Sequence, residues 1–207
     1  RLWGADMSAD WSPLEAGLWS LPSALGFIVG SQAAPWILRR VRPAYVIGVG
    51  LAMASVGLAM LTGVEGTDDL ALVVTASVIA SLGLAPVFTA TTELIVGSAP
   101  LEQAGAASGI SETGSELSGA LGIAILGSIG AAVYRSELAD LLPTGVPAEA
   151  AGAARDTLGG AVGAADGLPG QLGSSLVEAA QDAFIQGMRV SSAIATIVAV
   201  AVAVLAV

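Results

Sequence analysis

Gly119-Ala120-Leu121-Gly122-Ile123-Ala124-Ile125-Leu126-Gly127-Ser128-Ile129-Gly130 carries no charge. It sits inside a longer stretch, Ala104 to Tyr134, whose only charged residues are Glu112 and Glu116. A helix needs about 20 mostly apolar residues to cross a bilayer core. At about 1.5 Å per residue this stretch is longer than a core of about 30 Å, so part of it must protrude or tilt. Its apolar residues are small, which suits helices that pack backbone to backbone in lipid. Gly119, Gly122, Gly127 and Gly130 are therefore expected to form a helix-packing surface, with a flexing point as the alternative.

The rest of the chain has the same character. Hydrophobic residues make up 55% and charged residues 12%, against about a quarter charged in soluble domains, and the mean hydropathy is +0.81. The composition predicts an all-α integral membrane protein. There is no cysteine and no histidine, which removes disulfides, thiol nucleophiles and the usual zinc or haem ligands. No metal or cofactor is expected. A formal charge of -10 with no lysine excludes nucleic acid as a partner, because phosphate binding needs clustered cations. No phosphate-binding loop or nucleophile elbow occurs, so an enzyme is not expected and the lipid bilayer is the primary partner.

Five spans can be laid along the chain. Residues 1–11 form an outer-side segment. A first span, 12–38, opens with Ser12-Pro13-Leu14-Glu15, a capping box with proline at the first helical position, and Pro22 and Pro35 are expected to bend it. The loop 39–43, Arg39-Arg40-Val41-Arg42-Pro43, holds three of the seven basic residues and is cytoplasmic by the positive-inside tendency. Next come a span at 44–63, an acidic outer loop at 64–69, a span at 70–97 interrupted by Pro86, and a cytoplasmic loop at 98–103. The span 104–134 leads to a long extracellular loop, 135–182, rich in Gly, Ala and Pro, in which 148–165 and 172–184 have the pattern of short amphipathic helices. The last span, 183–207, is still apolar where the sequence stops, and both ends read as cut. Trp3, Trp11, Trp19 and Trp36 lie mostly near span ends, as interface anchors do.

Carboxylates at membrane depth cost several kcal/mol and mark function by default. Glu112 and Glu116, one turn apart, share a helical face with Ser108, Ser115 and several glycines, opposite Ile110, Leu117, Leu121 and Ile125. On one reading this pair faces a cavity and exchanges a proton for a cationic ligand. On the other, both lie in a wet first turn and favour the helix dipole. Glu93 and Gln32 are secondary candidates. Glu93 is set against an interfacial role, and Gln32 against hydrogen bonding between helices.

Gly105-Ala106-Ala107-Ser108-Gly109-Ile110-Ser111-Glu112-Thr113-Gly114-Ser115-Glu116-Leu117, with the glycine-rich run to Gly130, resembles the penultimate helix of the fourteen-span drug:proton antiporters. These belong to the major facilitator superfamily and include the quaternary ammonium efflux pumps. Ser12 to Leu18 with Leu21-Pro22, and Arg39 to Pro43, resemble the tenth span and the loop after it. The resemblance implies spans ten to fourteen of such a transporter, from the C-terminal part of the fold, and implies that 135–182 is the long extracellular loop before the last helix. It also implies that Glu112 and Glu116 are the acidic pair serving proton coupling and cation recognition. Two positions depart from the family: no acid lies between Glu15 and Arg39, where Phe27 stands near the expected place, and Gln103 occupies a position that is usually basic.

The function expected is part of a multi-pass transporter in the cell membrane, driven by the proton gradient and exporting a small, lipophilic, cationic molecule. The N-terminal half of that transporter is expected to lie outside this sequence and to be its partner in the fold. The alternatives are a truncated, transport-inactive fragment or accessory subunit, and a major facilitator transporter for an uncharged solute.

Overall fold

A computed structural model of the chain describes residues 13–66 and 69–206. Ser12, the expected outer segment 1–11 with Trp3 and Trp11, and Val207 lie outside the described residues, as do Thr67 and Asp68 of the acidic loop. Seven α-helices are described: α1 (Pro13–Leu38), α2 (Pro43–Leu61), α3 (Leu70–Gly97), α4 (Ala104–Leu141), α5 (Ala148–Asp156), α6 (Leu158–Ala165) and α7 (Gly170–Ala206). There is no strand among the described residues. Five of the helices, α1, α2, α3, α4 and α7, are long and apolar enough to cross a membrane.

Proline opens both α1 and α2, where its missing N–H costs nothing and its φ suits a helix. Pro22, Pro35 and Pro86 lie inside continuous helices, an arrangement that membrane helices tolerate when freed backbone groups find other partners. Hydroxyls along the spans turn back onto their own helix. Ser55 donates to the Leu51 carbonyl (2.7 Å), Thr75 to Ala71 (2.7 Å), Thr89 to Ala85 (3.1 Å) and Thr113 to Gly109 (2.8 Å). Each polar group is thereby satisfied without water.

Helix α3 lies at the centre, with α1 on one side and α2 on the other. Helix α7 packs on α2, and α4 packs on α7. The α2–α3 contact runs backbone to backbone. A Cβ on Gly50 would lie 2.6 Å from the Gly83 carbonyl oxygen, and one on Gly57 would lie 2.5 Å from that of Ala76. This antiparallel register places Gly50 opposite Gly83 and Gly57 opposite Ala76 to Ala80. Large apolar side chains on the outside, such as Val49, Val56, Ile197 and Leu205, stay exposed. A surface of that kind meets lipid or further helices.

One height can be fixed across three helices. Arg189 of α7 donates through Nε to the carbonyl oxygen of Thr62, just past α2 (2.9 Å), and Ser191 of α7 donates to the Leu126 carbonyl of α4 (3.1 Å). This one turn of α7, a stretch of α4 near Gly130 and the end of α2 therefore lie level. Helix α2, with 19 residues, rises about 28 Å, which matches a bilayer core of about 30 Å.

Above that level lies the expected loop 135–182, and α5 and α6 fall within 148–165, where short amphipathic helices are expected. Helix α4 continues past Tyr134 to Leu141, and α7 starts at Gly170, well before residue 183. With α5 and α6 these extensions fold into a cap around Tyr134, Leu138, Ala154, Ala161, Leu176, Ala180 and Ala183. The Tyr134 hydroxyl donates to the Ala154 carbonyl (2.6 Å) inside it. Gly145, at φ 96°, makes the turn between Leu142 and Pro147 in a conformation that L side chains rarely adopt. Small residues that read as loop composition serve instead as close contacts: Gly173 lies against the Ala165 carbonyl, and Gly160 against that of Ala153.

The glycines of α4 differ in their surroundings within this chain. Gly130 meets α7, where a Cβ would come 3.0 Å from the Ser191 hydroxyl, but Gly119, Gly122 and Gly127 have nothing within 4 Å of that position. The close crossing of α4 and α7 lies at the cap end.

Candidate functional site

Between α1, α3 and α4 lies a cavity of about 940 Å³. Helix α1 supplies Phe27 and Ser31. Helix α3 supplies Ala85, Phe88, Thr89, Thr92, Glu93, Val96 and Gly97, and α4 supplies Glu112 and Ser115. The two carboxylates come from different helices. Glu93 is ten residues beyond Gly83, about 15 Å towards the basic loop, whereas the facing Gly50 is about 10 Å from the start of α2; Glu93 therefore stands at the basic-loop edge of the apolar layer. Glu112, 18 residues from Gly130, lies about 27 Å below the cap-end level, near the same edge. Glu116 stands about one turn deeper on α4.

The other end of the cavity is aromatic. The rings of Phe27 and Phe88 lie 6.3 Å apart, centroid to centroid, at 55°, a tilted pairing that leaves ring faces available. The hydroxyls of Ser31 and Thr89 are held by the Ile28 and Ala85 carbonyls of their own helices. The cavity thus offers carboxylates at one end, aromatic faces at the other, and few uncommitted polar groups between them.

Of the residues singled out from sequence, Glu112 and the secondary candidate Glu93 line this cavity together, whereas Glu116 is exposed on α4 outside its lining. Gln32 is exposed and does not line it; the neighbouring Ser31 does. Phe88, Thr89 and Thr92 were not legible as site residues. One signal pointed to Phe88: the chain has three phenylalanines, and Phe27 and Phe88 share this cavity. The third, Phe184, lines a second pocket at the cap end between α4 and α7. Close to the basic loop, the Arg40 guanidinium lies 5.0 Å from the centroid of the exposed Trp36 ring, a cation–π contact.

The model for the Major Facilitator Superfamily matches residues 3–123, taking in α1, α2, α3 and the glutamate-bearing half of α4. The chain belongs to this superfamily. Major facilitator proteins are membrane transporters, so the chain is not an enzyme, and with its five apolar helices it is a multi-pass cell membrane protein. It is similar to the multidrug efflux pump LfrA of Mycolicibacterium smegmatis, at 34% identity over 93% of this chain and 38% of the relative. It is similar also to the tetracenomycin C resistance and export protein of Streptomyces glaucescens, at 33% over 94% of this chain and 37% of the relative. The methyl viologen resistance protein SmvA of Salmonella typhimurium is 30% identical over 84% of this chain and 35% of its own length. The chain thus spans less than two-fifths of the length of these curated relatives.

Proposed function

We propose that this chain forms the C-terminal five spans of a proton-coupled exporter of lipophilic cations, of the fourteen-span type. The observation that carries this reading is the shared cavity. Glu93 and Glu112 approach from two helices at the basic-loop end, and Phe27 with Phe88 stand deeper. With the basic loop cytoplasmic, the carboxylates face the compartment from which an exporter loads. A cation with an apolar body would meet its counter-charge first and aromatic faces next. Protonation of the carboxylates would then neutralise the site and release the cation, so that inward proton movement drives outward movement of the cation. Glu116, a turn deeper on the same helix, is the second acid of the α4 pair in this scheme.

Three observations support this reading. The relatives named above are drug resistance and export proteins, and two of them are named for tetracenomycin C and methyl viologen. The cavity brings the Phe27 and Phe88 rings together with Glu93 and Glu112, which fits cations with an apolar body. The open glycine face of α4 leaves room for the remaining helices of a longer transporter.

The test is efflux of a fluorescent lipophilic cation from everted vesicles. The chain is joined to the remainder of the Mycolicibacterium relative, with that relative intact as reference. Glu112→Gln and Glu93→Gln should each lower proton-gradient-driven transport at least tenfold, with Glu116→Gln less severe. Undiminished transport in both Glu112→Gln and Glu93→Gln would sink the coupling role and favour an uncharged solute.

A further inference from the structure

A second cavity, of about 450 Å³, lies between α4 and α7 at the cap end. It is within the size range of small-molecule pockets. Its walls are Leu126, Ala131, Phe184 and Met188, and its floor is the close crossing of Gly130 and Gly187. Two of its hydroxyls are already committed, that of Tyr134 to Ala154 and that of Ser191 to Leu126. Thr157 at its rim accepts from the Gly160 N–H. The interior therefore offers a ligand almost nothing but apolar surface.

The rim differs from the interior. Asp156, the last residue of α5, is exposed there, and residues 135–182 hold seven acids against two arginines. An apolar chamber below a carboxylate, under an acidic cap, is complementary to a molecule with a greasy body and one positive charge. The pocket also straddles the height fixed by Arg189 and Thr62, so its occupant would sit where the apolar layer ends. In a chain with 4% aromatic residues, a half-exposed Phe184 in this wall repeats what Phe27 and Phe88 do in the first cavity.

We infer that this pocket is a second binding site for a lipophilic monocation, separate from the cavity holding Glu93 and Glu112 and at the opposite end of the apolar layer. It stands on its own geometry and shares with the transport reading only the class of ligand. If transport proved independent of the glutamates, this site would be unaffected.

The chain contains no cysteine, so single cysteines can report on the pocket. Met188→Cys on α7 and, as a second reporter, Ala131→Cys on α4 are introduced into the full chain in phosphatidylcholine nanodiscs. Alkylation by N-ethylmaleimide is followed by mass spectrometry as tetraphenylphosphonium is added. The cation should slow alkylation at both positions. Asp156→Asn should raise the protecting concentration about threefold, as expected for an exposed charge pair, and Glu112→Gln should leave it unchanged. The inference fails if the cation protects neither cysteine, or if protection shifts with Glu112→Gln and not with Asp156→Asn. It fails equally if both cysteines are unreactive before the cation is added, which would mean that a lipid chain fills the pocket, or if protection follows protein density, which would mean that a second copy does.

Discussion

Arg189 and Thr62 are 127 positions apart, yet the Arg189 Nε lies 2.9 Å from the Thr62 carbonyl oxygen. The arginine brings a positive charge to the end of α2, where the helix dipole is negative and the last carbonyls lack partners. It ties the last helix to the second at the cap-end edge of the apolar layer. Replacing it with methionine keeps the bulk and removes the donor. Arg189→Met should lower the unfolding free energy by about 1–3 kcal/mol, measured by steric trapping in bicelles. Arg189→Lys should recover part of that loss, because the charge remains near the helix end.

Gly83 and Gly122 make opposite predictions. A Cβ on Gly83 would lie 2.5 Å from the Gly50 oxygen and 2.6 Å from the Ala54 nitrogen, both backbone atoms, whereas one on Gly122 would meet nothing within 4 Å. Gly83→Ala should therefore separate α2 from α3 at a cost of about 1–3 kcal/mol. Gly122→Ala should be neutral or stabilise the isolated chain by up to about 1 kcal/mol. Equal losses for the two would contradict the register described.

The cap should loosen when its one buried hydroxyl bond is removed. Tyr134 is 5% exposed and Ala154 fully buried, so Tyr134→Phe leaves the Ala154 carbonyl without its donor, at about 1–3 kcal/mol. Hydrogen exchange should accelerate across residues 148–165 and remain slow across α2 and α3. Uniform acceleration along the whole chain would show that the cap is not a separate cooperative unit.

Phe88 tests the aromatic end of the cavity without touching a charge. Phe88→Ala removes one partner of the ring pair with Phe27 and should weaken binding of an aromatic monocation by roughly tenfold, as loss of a desolvated cation–π contact would. Phe88→Leu should weaken it nearly as much for aromatic cations and less for aliphatic ones. Equilibrium dialysis with both cation types separates these outcomes.

The fold class and the five long helices were legible in the sequence because lipid leaves so few options. Runs of apolar residues of spanning length, punctuated by Arg39 to Pro43 and by the acidic stretch from Glu65, must be helices wherever they cross a membrane. Glu112 was legible for the same reason, since a charge in such a run stands out. Short helices within 135–182 were legible as amphipathic patterns at 148–165 and 172–184, but not how they pack, because the contacts of their small residues with α4 and α7 join positions far apart in sequence. Which part of the glycine run on α4 meets α7 was likewise not legible, since the crossing that brings Gly130 against Gly187 is set by how the two helices pack.

By itself the sequence determined the solvent of this protein, the helical form of each span and the residue types available for chemistry. Those follow from local hydropathy and the cost of unpaired backbone groups. Tertiary structure alone decided that Glu112 shares its cavity with Glu93 and not with Glu116, and that Phe27 meets Phe88. Two residues on different helices become neighbours through the register in which those helices pack, and close contacts such as Gly50 against Gly83 set that register.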